Sequence, residues 1–218
     1  GYHLIAGAWV AGADTFMAAT GAKIALGTSA DIDAAVQAAE AAFAPYAALT
    51  RAARAVFLET IADQIDARGA EITEIGCAES GLPAARLEGE RGRTTGQLRL
   101  FAAHIRKTDF LDARHDAALP DRKPLPRPDI KLLQRPIGPV AVFGASNFPL
   151  AFSTIGGDSA SALAAGCPVV VKGHPAHPGT AEIVAAAVLA AIEICAMPAG
   201  VFNLVQGHSR AVGEALVQ

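Results

Sequence analysis

The fold is decided by PIGPVAVFGASNFPLAFSTIGGDSASALAAGCPVVVK, residues 136–172. Its first apolar run, Val140-Ala141-Val142-Phe143, is short and bounded by turn formers, the pattern of a buried strand. Gly144 and Pro149 interrupt that run, and between them stand Ala145, Ser146 and Asn147. An Ala-rich segment of helix length follows, then a second apolar run, Val169-Val170-Val171, which ends on one charge, Lys172. Strand, polar turn, helix, strand and cation in that order read as a βαβ unit with its ligand-facing edge marked.

Downstream, Gly173-His174-Pro175-Ala176-His177-Pro178-Gly179 is a turn-rich loop. Thr180 is expected to cap a helix that runs to about Ala196. Val201-Phe202-Asn203-Leu204-Val205 reads as a third strand, Gly207 as its tight exit, and residues 209–217 as the start of another helix. The alternation predicts an α/β fold, a parallel Rossmann-like sheet with right-handed helical crossovers. No G-x-G-x-x-G fingerprint is present, so the pattern alone does not specify a dinucleotide.

Upstream of the stretch, residues 108–135 change character. Pro120, Pro124, Pro126 and Pro128 fall close together, which forbids a helix or a central strand. An extended arm or hairpin remains, with Ile130-Lys131-Leu132-Leu133 as its strand; a plain surface linker is the alternative. Before it, HLIAGAWV (residues 3–10) reads as a strand or hairpin entry. Ser29 or Asp31 is expected to cap a first helix and Pro45 to end it. Thr50 caps a second helix, and Glu79-Ser80-Gly81-Leu82-Pro83 stops a third. Residues 84–107 form a fourth, whose charges Arg86, Glu88, Glu90, Arg91, Arg93 and Arg99 read as a solvated face with i,i+4 pairing.

Composition narrows the functional classes. The chain has 218 residues, 18 basic and 21 acidic side chains and a net charge of −3, with no basic block to suggest nucleic acid. No apolar run approaches the ~18 residues of a membrane span. The first residues lack a signal-peptide pattern, so a cytoplasmic location is expected. Cys77, Cys167 and Cys195 are widely spaced and sit among small or apolar neighbours, which reads as packing and excludes a zinc framework. No metal site is expected.

Candidate functional residues gather where the strands end, the ligand edge of open α/β sheets. Phe143, Gly144, Ala145 and Ser146 form a small-residue exit that lets a ligand approach. Asn147, before Phe-Pro, reads by itself as a backbone cap. Lys172 reads equally as a lysine snorkelling from the sheet edge or as a ligand cation.

The motifs P-I-G-P-V-A-V-F-G-A-S-N-F-P-L (residues 136–150) and A-A-G-C-P-V-V-V-K (residues 164–172) resemble the aldehyde dehydrogenase superfamily. The wording FGASNFPLAFSTIGGDSASALAAGCPVVVKGHPAHPGTAE is most similar to its NADP-preferring branch that oxidises 2-oxoglutarate semialdehyde (2,5-dioxovalerate). The likeness runs from about His3 to the last residue. It implies that Asn147 lends its amide to the aldehyde oxygen when a cysteine thiolate adds, before hydride leaves for the nicotinamide and a glutamate-assisted water hydrolyses the thioester.

The same resemblance implies that Lys172 holds the adenosine ribose. NAD-preferring members carry a glutamate where this chain has Pro175, so NADP is expected over NAD, with His174 and His177 as nearby donors. Phe152 and Ile155, on the opening turn of a helix after Asn147, are implied to face the substrate tunnel, or simply to pack. Gly207, Ser209 and Gly213 are implied to approach the pyrophosphate.

By the same resemblance, residues 1–107 are the helical part of a cofactor-binding domain. Residues 108–135 are an arm that joins subunits as a homodimer or homotetramer, and residues 136–218 are the first βαβαβ portion. The catalytic domain with its cysteine and glutamate is expected to lie outside this chain, which alone is expected to be inactive. The strands at residues 169–171 and 201–205 are then expected to lack neighbours on one side. The rival readings are a dehydrogenase for another aldehyde such as succinic semialdehyde, and a non-catalytic nucleotide-binding or assembly module.

Overall fold

A computed structural model describes residues 1–218. The three apolar runs are strands β7 (Val140–Phe143), β8 (Val169–Lys172) and β9 (Phe202–Val205), all parallel. Helix α5 (Gly157–Ala165) crosses from β7 to β8, and α6 (Pro178–Ile194) from β8 to β9. Helix α7 (Arg210–Val217) follows β9. The expected α/β unit with its parallel sheet is present.

The N-terminal hairpin extends this sheet. Strand β1 (His3–Ile5) pairs antiparallel with β2 (Ala8–Val10) and, through Leu4 and Leu204, with β9. The order is β2-β1-β9-β8-β7. Both β8 and β9 therefore have a neighbour on each side, contrary to expectation, and the edge strands are β2 and β7. The hairpin supplies β9 with the partner that sequence order alone does not reveal.

Strand β8 is buried on both faces, as its unbroken valines require. Val169 and Val171 face a core built with α5, α6, α2 (Arg51–Ala67), α3 (Gly69–Ser80) and α4 (Ala84–Ile105). Val170 faces the opposite way, into a smaller core with Ile32 and Ala35 of α1 (Ser29–Ala47) and Val212 of α7. Period-two alternation thus divides three successive valines between two helical layers. A second hairpin, β3 (Asp14–Met17) with β4 (Lys23–Leu26), lies apart from the main sheet.

Three helix ends differ from the sequence reading. Thr28, extended at φ −115°, caps α1 in a reciprocal box with Asp31 at the third helical position. Ser29 is already helical. Pro45 sits inside the last turn of α1, which closes two residues later. Thr180 caps nothing, because α6 starts at Pro178, the first-turn position suited to proline. Its cap comes from elsewhere: Glu79 on α3 accepts from Gly179 N at 2.7 Å, Thr180 N at 2.8 Å and Thr180 Oγ1 at 2.8 Å. A carboxylate at a helix N-terminus satisfies free N–H groups and opposes the helix dipole.

The proline-rich segment is a hairpin, as read. Strand β5 (Arg114–Asp116) pairs antiparallel with β6 (Ile130–Leu132), and Leu119 bridges Arg127 towards the tip. Leu125, Leu132 and Leu133 on this arm are all more than half exposed.

Candidate functional site

The parallel register brings three strand ends into one row. Phe143 lies opposite Lys172, and Lys172 opposite Val205. Beside that row opens a cavity of about 650 Å³. The first two strand ends contribute Phe143, Gly144, Lys172, His174 and Pro175; α7 contributes Ser209 at its cap, then Arg210, Gly213 and Glu214. Seven residues nominated from sequence thus line a single space. Ala145 and Ser146 belong to the adjoining turn, outside that lining. Gly207 is buried, and a Cβ there would meet Val212 at 2.8 Å, so its smallness serves packing between β9 and α7.

The chemistry of the cavity suits an anion. Lys172 is half-buried with no carboxylate partner, and burial pulls its pKa below the usual lysine value. His174 is lowered by burial, with Lys172 and His177 adding in the same direction, so its ring is neutral near pH 7. Its Nδ1 accepts from Ala176 N at 3.1 Å, which leaves the proton on Nε2 as a donor. His177 stacks on His174 at 5.4 Å between ring centroids and donates from Nε2 to Ala145 O at 2.9 Å. Sequence reading missed Arg210, although it nominated residues on either side. It also missed His208 and Glu214 in the same lining.

Asn147 stands on an irregular segment, residues 144–156, that precedes α5. The expected place of Phe152 and Ile155 on the opening turn of a helix is corrected: both lie in this segment, and the helix begins only at Gly157. Ala145 N bonds Phe152 O at 2.9 Å and Gly157 N bonds Ala151 O at 3.1 Å, closing the segment on itself. The Asn147 residue is exposed and its carboxamide is not tied to main chain. The backbone-cap reading therefore does not hold.

The segment is gripped from α4. Glu90, 4% exposed, accepts from Leu150 N at 3.2 Å and from Ala151 N at 3.4 Å. Arg86 donates from Nε to Glu90 at 3.0 Å, reaches Asn147 O at 3.5 Å, and lies 4.5 Å over the Phe148 ring. Phe148 and Phe152 meet edge to face at 5.0 Å. The charged face of α4 is therefore only partly solvated. The Arg86–Glu90 pair has the expected i,i+4 spacing, yet its carboxylate is turned inward to hold a loop sixty positions away in sequence.

The two substrate-facing nominations separate. Phe152 is 39% exposed, whereas Ile155, at 1%, belongs to the main core and takes the packing role. Cys167 is buried, and Cys77 and Cys195 pack against the same core, as their contexts indicated. No helix is long and apolar enough to cross a membrane.

Known proteins are similar to this chain in sequence and in fold. The sequence pattern of the aldehyde dehydrogenase family matches residues 13–218. Alpha-ketoglutaric semialdehyde dehydrogenase 2 of Azospirillum brasilense is 58% identical over 188 residues, covering 86% of this chain and 36% of the relative. The alpha-ketoglutaric semialdehyde dehydrogenase of Acinetobacter baylyi is 53% identical over 199 residues, covering 91% and 38%. The chain thus spans little more than a third of the length of these relatives.

Among solved structures, a lactaldehyde dehydrogenase superposes with a TM-score of 0.85 at 28% identity, covering 99% of this chain and 44% of that one. Aldehyde dehydrogenase C of Pseudomonas syringae, solved with NAD+ and octanal, superposes at 0.81 with 26% identity, covering 98% and 42%. With the family pattern spanning nearly every residue and the fold shared along its whole length, this chain belongs to the aldehyde dehydrogenase family.

Proposed function

We propose that this chain is the cofactor-binding portion of an NADP-preferring dehydrogenase that oxidises 2-oxoglutarate semialdehyde to 2-oxoglutarate. The observation that carries the reading is the free, exposed carboxamide of Asn147 on a segment whose backbone is held by a buried carboxylate. An amide carried on an anchored backbone, with no hydrogen bond of its own, is available to a substrate. The 53–58% identity to two alpha-ketoglutaric semialdehyde dehydrogenases supports the choice of aldehyde.

Asn147 donates its amide hydrogen to the aldehyde carbonyl oxygen. When a thiolate supplied by the complete enzyme adds to the carbon, that oxygen gains charge, and a donor already in position stabilises it without reorganisation. The dinucleotide, when bound, supplies the hydride acceptor. Residues of this chain fit such a group: Lys172 and Arg210 are cations in one lining, Gly144 and Gly213 leave the approach open, and Glu214 is the one carboxylate there. Pro175 presents no carboxylate to repel a 2′-phosphate, and Lys172 has no competing partner to release. His174 adds a neutral donor. This balance favours NADP over NAD.

The exposed leucines of the arm favour burial between copies of the chain, in a homodimer or homotetramer, which the mass of the complete protein in solution tests. The functional reading is tested by expressing the complete protein and following nicotinamide reduction with a panel of aldehydes. Fastest turnover is expected with 2-oxoglutarate semialdehyde and NADP. A higher kcat/KM with succinic semialdehyde replaces the substrate, and binding of dinucleotide with no oxidation of any aldehyde supports a non-catalytic module instead.

A further inference from the structure

Helix α4 carries four arginines, and three have oxygen acceptors. Arg86 bonds Glu90, Arg91 reaches Asp66 and Thr73, and Arg99 bonds Asp63 and Asp66. Arg93 has no ion pair and no hydrogen bond. Its guanidinium lies 4.7 Å over the Phe152 ring and 5.9 Å from the Phe148 ring centroid, the two aromatics that follow Asn147. Stacking occupies the face of the group and leaves the N–H donors at its edge free, the geometry that receives a carboxylate in bidentate fashion.

A second observation concerns the floor around it. Gly89, Gly92 and Gly96 lie at i−4, i−1 and i+3 from Arg93, and a Cβ at any of them would meet nothing within 4 Å. Glycine inside a helix is destabilising relative to alanine. No contact within this chain explains three of them in succession. Arg93 itself is exposed, and the helix surface at these three glycines is open.

We infer that Arg93 anchors the carboxylate of the substrate, the group remote from the aldehyde carbon. This rests on the reading that a semialdehyde reacts beside Asn147. Phe148 and Phe152 hold the guanidinium flat, and the carboxylate bonds its edge while the aldehyde end meets the Asn147 amide. Arg93 therefore selects acidic aldehydes over uncharged ones of equal length.

The test uses the complete enzyme with Arg93→Met and Arg93→Lys. Measured quantities are kcat/KM for 2-oxoglutarate semialdehyde and for pentanal, and the affinity for glutarate, a non-reacting dicarboxylate, by calorimetry. Arg93→Met is expected to lower kcat/KM for the acidic aldehyde roughly 50-fold, chiefly through KM, with pentanal changed less than about 3-fold. Glutarate affinity falls in parallel, and Arg93→Lys recovers part of both because it keeps the charge without the fork. Equal losses on both aldehydes, or no loss on the acidic one, overturn the inference. If the unaltered enzyme oxidises neither aldehyde, the functional reading fails, and glutarate still decides the anchor: loss of its binding in Arg93→Met supports it, and unchanged binding overturns it.

Discussion

Glu90 of α4 and Leu150, three residues beyond Asn147, are joined by a buried hydrogen bond of 3.2 Å from Leu150 N to the carboxylate. The same oxygen also receives Ala151 N, and the second oxygen receives Arg86. A helix outside the sheet thereby fixes the backbone from which the candidate oxyanion donor projects. Replacing Glu90 by Ala strands two backbone donors and removes the partner of Arg86, at a cost of about 2–4 kcal/mol. Glu90→Gln keeps one acceptor oxygen and loses less. In the complete enzyme the expected order of melting temperature and of kcat is wild type, Glu90→Gln, Glu90→Ala, with KM for NADP unchanged.

Glu79 does comparable work at the start of α6, where it accepts three hydrogen bonds from residues a hundred positions away. Glu79→Ala is expected to destabilise the protein by about 2–3 kcal/mol, more than an ordinary cap, because the acceptor is buried and charged. Hydrogen exchange localises the effect: the amides of Gly179 and Thr180 gain exchange rate first.

His3 makes stability depend on pH. It is fully buried, its Nδ1 accepts from Gln206 N at 3.0 Å, and burial lowers its pKa below the ordinary value of 6.5, outweighing the opposing charge of Asp31. The unfolded chain therefore binds a proton at a pH where the folded chain refuses it. Stability from this group is complete above 6.5 and is lost as pH falls towards the lower folded value. The melting temperature is expected to drop on acidification from about pH 7.5 to 5.5, and the slope to flatten in His3→Gln.

The proposed preference for NADP puts its weight on Pro175. Pro175→Glu puts a carboxylate into the lining shared by Lys172 and Arg210. It repels a 2′-phosphate and engages a free 2′-hydroxyl. Steady-state kinetics are expected to show kcat/KM with NADP falling about 10–100-fold, the size of one charge contact in a partly desolvated site. The value with NAD stays level or rises.

The sequence made the local elements readable and left the long-range ones dark. Three apolar runs between turn formers specified β7, β8 and β9, and four prolines specified the arm, because each of those signals is complete within a few residues. The cap of α6 was assigned to Thr180, since the true acceptor, Glu79, lies on another helix and only folding brings it there. Glu90 looked like surface charge for the same reason: α4 reads as polar, and the loop that buries this carboxylate is sixty residues away. The pairing of β1 with β9 joins the two ends of the chain, which no local pattern encodes. In the cavity lining, Lys172 was marked by the end of its strand, and Pro175 and Ser209 by the family resemblance. Arg210 in that lining and the Arg93 stack on Phe152 were not legible, because a lone arginine in a helix has no signature until its neighbours are known.

The decisive measurement is steady-state turnover of Asn147→Ala in the complete enzyme with 2-oxoglutarate semialdehyde, alongside direct titration of NADP. Loss of a preorganised donor to a developing oxyanion is expected to lower kcat by about 10²–10³ while the dissociation constant of NADP holds. A kcat within twofold of the unaltered enzyme would contradict the role assigned to that amide.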